Sequence, residues 1–394
     1  MKIAIDARWI FPRISGIGAY TRELLSALAR LDANNDYTVF FNRADVRDRT
    51  AREAGLLDHP NFALRLLPWG VFAPLSQLAL PGLLHRERFD VFHSPNYMIP
   101  LPAFPRFRAG RTRAVVTIHD VIPLLFPDHA PRSRKSRVFF LYRWLMAEIA
   151  RRADMIIAVS EASRVDCLAK LHISPERADR VCAVPNGVSA RFKPPLEGAA
   201  PRRHPEDRTS VRTCLYVGRA DPYKNLDGLL RAFAKIHGEL PFPLKLVMAG
   251  PRDDRYPEAP ALARELGVAD QVVWTGYLSD SELVHHYQQA DLLVLPSRYE
   301  GFGLPVVEAM ACGTPVVCST AAALREIAGT AALFAEPDDI SGLAQNMRNI
   351  LTQPALSARL AHDGLLQAAR FTWTRTATET LAVYQRAADL AGKR

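Results

Sequence analysis

This chain of 394 residues lacks most of what would tie it to a membrane span, a secretory route or a metal centre. No apolar run reaches the roughly 18 residues of a transmembrane helix; the best candidate, Val138 to Ala150, is broken by Arg143. The opening MKIAIDARWI puts Asp6 and Arg8 where a signal peptide needs an unbroken apolar core, so it reads as a first strand. The five cysteines (Cys167, Cys182, Cys214, Cys312, Cys318) are scattered without metal-ligand spacing, and four lie on apolar segments, as expected of buried, reduced thiols in a cytoplasmic protein. There is no Asp-x-Asp pair to hold a divalent ion, and no internal repeat. Gly16-x-Gly18 lacks the rest of a dinucleotide fingerprint, which disfavours a nicotinamide cofactor.

What is present describes a globular protein, 48% hydrophobic and 23% charged, long enough for two ordinary domains. Short β-branched runs alternate with helical patterns from Lys2 onward, the signature of a parallel sheet covered on both faces. Lys193 to Arg212 is proline-rich, polar and aperiodic and reads as a linker. It separates a first α/β domain, residues 1–192, from a second, residues 213–374, with a last helix over 375–394. Each is read as doubly wound, or Rossmann-like, whose ligands sit beyond the carboxyl ends of the strands.

The formal charge of +9 calls for an acidic partner: a nucleotide diphosphate, anionic lipid or nucleic acid. No nucleic-acid-binding module is recognisable, so nucleic acid is not expected. Pro131 to Arg152 is both basic and aromatic, with Arg132, Arg134, Lys135 and Arg137 before Phe139, Phe140, Tyr142 and Trp144. It reads either as a core helix with a solvated basic start or as a surface drawn to anionic lipid at the inner face of a membrane.

The most informative stretch is Asp291 to Ser319, DLLVLPSRYEGFGLPVVEAMACGTPVVCS, which reads strand, glycine loop, helix, strand. Pro305 stands near the first helical position and Gly313 closes the helix. Glu300 lies in the loop after a strand and Glu308 about one turn into the following helix. Between them the backbone N–H groups of Phe302, Gly303 and Leu304 project from a helix N-terminus, a site that favours an anion. Upstream, in TCLYVGRADPYKNL, Arg219 and Lys224 sit in the loop at the carboxyl end of another strand, two cations suited to a diphosphate leaving group. A phosphate cradle with a carboxylate on each side to take hydroxyls fits a nucleotide sugar.

Glu300-x7-Glu308 within EGFGLPVVEAMACGTPVV, with YVGRADPYKNL, THDVIPLLFP and the DARW and GIGAYTREL start, closely resembles the retaining GT-B glycosyltransferases of family 4, in particular bacterial GDP-mannose-dependent mannosyltransferases. The resemblance implies two Rossmann-like domains facing across a cleft, the last helix crossing back to the first. It implies transfer of a sugar, mannose from GDP-mannose foremost, to a saccharide or lipid-linked saccharide, without a cofactor or a metal. Glu308 would take the ribose hydroxyls, Glu300 with the backbone at 302–304 the sugar, and Arg219 and Lys224 the diphosphate. The segment from Gly276 through Tyr277 to Leu278 would lie by the base, the Gly16 and Gly18 loop would approach the donor, and His119 would face the sugar. His119-Asp120 ends a strand, as does His93, which has no such assignment. Two other readings are an enzyme that acts on the nucleotide sugar alone, such as an epimerase, and a non-catalytic basic protein on membrane or nucleic acid.

Overall fold

The computed structural model describes residues 1–106, 110–127, 139–195, 209–251 and 254–390. Arg108, the basic cluster at 132–137 and most of the expected linker lie outside the described residues. The chain forms two units. One holds Met1–Leu124 with 139–187 and the described residues from Thr372 on; the other holds Val188–Phe371 with 125–127.

The first unit is built on seven parallel strands: β1 (Lys2–Asp6), β2 (Asp36–Phe41), β3 (Phe62–Leu66), β4 (Val91–Ser94), β5 (Arg113–Ile118), β6 (Met155–Ala158) and β7 (Val181–Ala183). Their order across the sheet is β3-β2-β1-β4-β5-β6-β7. The central strands are apolar without alternation because helices cover both faces; every residue of β5 is buried. The helices are α1 (Gly16–Leu31), α2 (Ala44–Glu53), α3 (Pro74–Glu87), α4 (Ile122–Leu125), α5 (Phe139–Arg152) and α6 (Glu161–Lys170). Helix α1 starts one residue earlier than its apolar period suggests, because the Ser15 side chain accepts from Gly18 N and caps the first turn. Gly16 and Gly18 therefore belong to the helix, and neither has a left-handed φ, so a tight turn does not account for them.

The second unit has six parallel strands: β8 (Arg212–Val217), β9 (Leu244–Ala249), β10 (Val272–Gly276), β11 (Leu292–Leu295), β12 (Val316–Ser319) and β13 (Ala332–Ala335). Their order, β10-β9-β8-β11-β12-β13, reverses direction at β8, and a ligand crevice is expected beyond the carboxyl ends of β8 and β11. Its helices are α7 (Leu226–His237), α8 (Glu258–Glu265), α9 (Asp280–Gln289), α10 (Leu304–Ala311), α11 (Ala322–Ala328), α12 (Ile340–Thr352) and α13 (Pro354–Ala368). In sequence Leu324 to Ile327 also reads as a segment that completes this sheet, but it lies inside α11. Its apolar positions Leu324, Ile327 and Ala328 recur at helical spacing among good helix formers, and all are buried.

The last helix, α14 (Trp373–Asp389), is capped by Thr372 and packs in the first unit. Trp373, Ala377 and Tyr384 join Ile3, Tyr20 and Val39 in one apolar core. Gly187 lies so close to this helix start that a Cβ there would sit 2.3 Å from the backbone nitrogen of Trp373.

Candidate active site

In the second unit the loops after β8 and β11 carry the charged groups. Lys224 Nζ donates to both carboxylate oxygens of Glu300, at 2.7 and 2.9 Å, and the two side chains are only 13% and 10% exposed. Two bonds hold the two loops together, and a third ties them to the segment after β13. Arg298 N donates to the carbonyl of Tyr223 at 2.7 Å, and the Asn225 amide donates to the carbonyls of Pro296 and Pro337. Asn225 takes the N-cap position of α7 but in a left-handed conformation, with no capping bond from its side chain, whose Nδ2 makes the two bonds to those carbonyls.

Arg219 is placed differently from Lys224. Its guanidinium, half exposed, pairs with the fully buried Asp221, with Nη2 2.9 Å from Oδ1. Asp221 thus fixes the direction of Arg219 and leaves much of its charge facing outward. Gly218 and Gly250 let the loops after β8 and β9 meet: a Cβ on Gly250 would lie 1.9 Å from the Gly218 carbonyl oxygen. Gly250 N also donates to Gly276 O, and these loop ends line a cavity of about 700 Å³ that includes Arg219, Tyr256 and Trp274. Gly276 has a left-handed φ of 73°, and the Tyr277 ring beyond it is exposed. Leu278 leads into Ser279, which forms a capping box with Glu282 at the start of α9.

Phe302 and Gly303 are buried where α10 begins, and Gly303 N-caps it at φ 101°, a conformation natural only to glycine. Leu304 follows as its first residue and Pro305, which has no N–H to leave unpaired, as its second. On α10 the partly accessible Glu308 accepts from the Tyr287 hydroxyl at 2.8 Å. Burial pushes its carboxyl up to about 7, against the pull of the Tyr287 bond. Lys224 and Glu300 are thus brought together, while Arg219 and Glu308 each have a partner of their own, Asp221 and Tyr287.

In the first unit His119 stands just after β5. Its Nε2 lies 2.9 Å from the Pro95 carbonyl oxygen, which can only accept, so Nε2 carries the proton and Nδ1 is left as an acceptor. Burial lowers its pKa to about 4, so the ring is neutral. The Tyr20 ring meets it edge-on with centroids 4.8 Å apart. Asp120 accepts from Ile122 N and caps the following turn. His93 is a core residue: its Nδ1 bonds the Tyr384 hydroxyl at 2.7 Å, and its Nε2 bonds Thr117 Oγ1 at 2.9 Å.

Asp221, Tyr287 and Asn225 as a loop clamp escape a reading of the sequence, because each acts through a partner rather than through a motif. Among the described residues no three His, Cys, Asp or Glu side chains gather as a metal site.

The second parallel sheet carries both a cationic loop and a glutamate-bearing glycine loop at the carboxyl ends of its strands, an arrangement suited to an anionic, hydroxyl-rich substrate of a group-transfer enzyme. The chain belongs to glycosyltransferase family 4: residues 14–192 match that family's model and residues 202–365 match the model of glycosyl transferases group 1. It is 29% identical to O-antigen chain mannosyltransferase B of Escherichia coli, over 98% of this chain and 100% of that one. It is 32% identical to D-inositol 3-phosphate glycosyltransferase of Stackebrandtia nassauensis, over 95% of this chain and 88% of that one. Among solved structures, Anabaena HepE in complex with UDP-glucose superposes over all of both chains with a TM-score of 0.72 at 19% identity. The fold is GT-B, and the protein is a glycosyltransferase.

Proposed function

We propose that this glycosyltransferase moves mannose from GDP-mannose, with retention of the α configuration, onto a saccharide or lipid-linked saccharide during bacterial polysaccharide or lipopolysaccharide assembly. It would work in the cytoplasm and need no divalent metal. The observation that carries the reading is the Lys224–Glu300 pair beside the start of α10, with Glu308 one turn further on. A diphosphate oxygen would compete with Glu300 for the Lys224 ammonium, and Arg219, held outward by Asp221, would take a second oxygen. As the glycosyl bond breaks, both cations would stabilise the leaving diphosphate. Released from Lys224, Glu300 and the N–H groups at 302–304 would hold sugar hydroxyls, and Glu308 the ribose. His119 would offer Nδ1 to a substrate hydroxyl. Mannose is favoured by the full-length likeness to an O-antigen chain mannosyltransferase.

HepE was solved with UDP-glucose, so a uridine donor is the alternative to test directly. Calorimetric titration with GDP, UDP and ADP and their sugar conjugates, in the presence of EDTA, decides the base. Selective binding of GDP and GDP-mannose, followed by mannose transfer, is the expected result. Binding of UDP-glucose alone would replace the donor, and no binding to any of them would overturn the reading. Product formed from donor without acceptor would point to an epimerase instead.

A further inference from the structure

Next to His119, inside the first unit, four polar side chains form one chain of hydrogen bonds. The Tyr384 hydroxyl on α14 lies 2.7 Å from Nδ1 of His93 on β4. His93 Nε2 lies 2.9 Å from Oγ1 of Thr117 on β5, and that oxygen lies 3.1 Å from the hydroxyl of Tyr20 on α1. None of the four is more than 1% exposed. Burial pushes the Tyr20 hydroxyl up to about 12 and lowers His93 to about 3, so the phenol keeps its proton and the imidazole is neutral. Neutral His93 has one N–H and accepts at its other nitrogen, from Tyr384 or from Thr117. Whichever way the bonds run, breaking one strands a buried polar group with no water to replace its partner. The chain is therefore stiff, and it ties four elements of the unit together.

It ends against His119. The Tyr20 ring meets the partly accessible His119 ring edge-on at 4.8 Å, and it also meets the ring of Trp373 at 5.7 Å. Trp373 and Tyr384 stand about three turns apart on α14. One helix thus bears on both ends of the chain, on the Tyr20 ring and on Nδ1 of His93. The Pro95 carbonyl holds His119 at a single atom, Nε2, about which the imidazole could still tilt. A second contact on the ring sets the direction of Nδ1, and Tyr20 supplies it. Filling the core would not require a phenol here. Phenylalanine has nearly the same volume and brings no buried hydroxyl that must find a partner.

We infer that Tyr20 is a positioning residue for His119, held in place by the Thr117–His93–Tyr384 chain and by α14. The inference rests on the role proposed above for His119, and its test is divided accordingly. The first arm needs no substrate: NMR of the full chain with labelled histidine, the His119 signal being the one lost in H119Q, titrated from pH about 7.5 to about 5. The titratable groups around the ring are Tyr20 from α1, His93 from β4 and Asp120 next in the chain, and Tyr20 and His93 keep their protonation throughout this window. Burial holds His119 at about 4, so the wild-type ring should not titrate there. In Y20A water reaches the ring, and its midpoint should rise by about one pH unit or more, toward the ordinary value of about 6.5. The second arm is transfer from GDP-mannose to methyl α-mannoside. Y20A should lower kcat at least about tenfold and leave the KM for the donor within about twofold, with Y20F in between. L28A, two turns further along the buried face of α1, is the control: it should lower the melting temperature and change neither the titration nor kcat. A folded Y20A whose His119 does not titrate in the window, or whose kcat falls no further than that of L28A, overturns the proposal. Should Y20A not fold, a Y20F indistinguishable from wild type in both arms overturns it. A wild type that transfers no mannose sinks the donor reading instead, and the titration then decides this one alone.

Discussion

Replacing Glu308 by glutamine should stabilise the second unit at alkaline pH while weakening donor binding. The carboxyl is pushed from 4.5 to about 7 by burial. With the folded value raised, the folded state holds its proton more tightly than the unfolded chain between those limits. Stability is therefore undiminished below about 4.5 and falls as pH rises, with the full loss reached above about 7. At about 1.36 kcal/mol per pH unit, the loss amounts to about 3 kcal/mol. Glutamine has no such charge to desolvate and can still accept from the Tyr287 hydroxyl. Any fixed cost of fitting its amide is the same at every pH, so the difference between two pH values isolates the electrostatic part. At pH about 8.5, E308Q should gain roughly 6–12 °C in the melting transition of this unit over what it shows at pH about 5. In calorimetry the same variant should lose about tenfold or more in affinity for the donor, because in the proposed site the ribose hydroxyls would no longer meet an ionised acceptor. A melting difference that does not change with pH would refute the reasoning.

Donor affinity of the wild type should itself fall as pH drops below about 7, since Glu308 must be ionised to accept two hydroxyls; titrations from pH 6 to 8 check this. Tyr287→Phe removes the hydrogen bond that favours the carboxylate, and should move that midpoint upward and weaken the donor several-fold. K224M leaves Glu300 buried without its counter-charge and should cost roughly 3–5 kcal/mol in urea unfolding along with all transfer, whereas K224M/E300Q should recover stability and not activity. Gly303→Ala should cost about 1–2 kcal/mol from its left-handed backbone alone. Its Cβ would also meet Leu324 Cδ2 at 2.6 Å, so the melting loss should exceed that figure.

The sheets could be read from the sequence because their strands are buried on both faces, and unbroken runs such as LLVL and RAVVTI state that burial directly. The helix after Gly303 was equally legible from Pro305 and the apolar spacing of α10. Leu324 to Ile327 was not, since four residues fit strand and helix alike, and only the packing of Ala-rich α11 decides between them. At the site, Glu300, Glu308, Arg219 and Lys224 stand in short motifs. What holds them does not: Tyr287 reaches Glu308 across 21 positions, and Asn225 reaches the Pro337 carbonyl across 112. Such pairings arise from the winding of the sheet and leave no local trace. His93 and His119 end neighbouring strands and look alike in sequence. One is satisfied on both nitrogens inside the core, and the other keeps Nδ1 as an acceptor.

The placement of α14 has a consequence for biosynthesis. The first unit is assembled from stretches that lie before and after the second unit in the chain, and its core lacks Trp373, Ala377 and Tyr384 until the stretch after Phe371 has been made. His93 waits for the Tyr384 hydroxyl, and Tyr20 for the edge of Trp373. The second unit, whose residues end at Phe371, has all its strands before that stretch. The usual order of domain folding, N-terminal first, is therefore reversed. A nascent chain stalled just after Phe371 would carry a finished second unit beside an unfinished first one, open to proteases and chaperones in the part that was synthesised first.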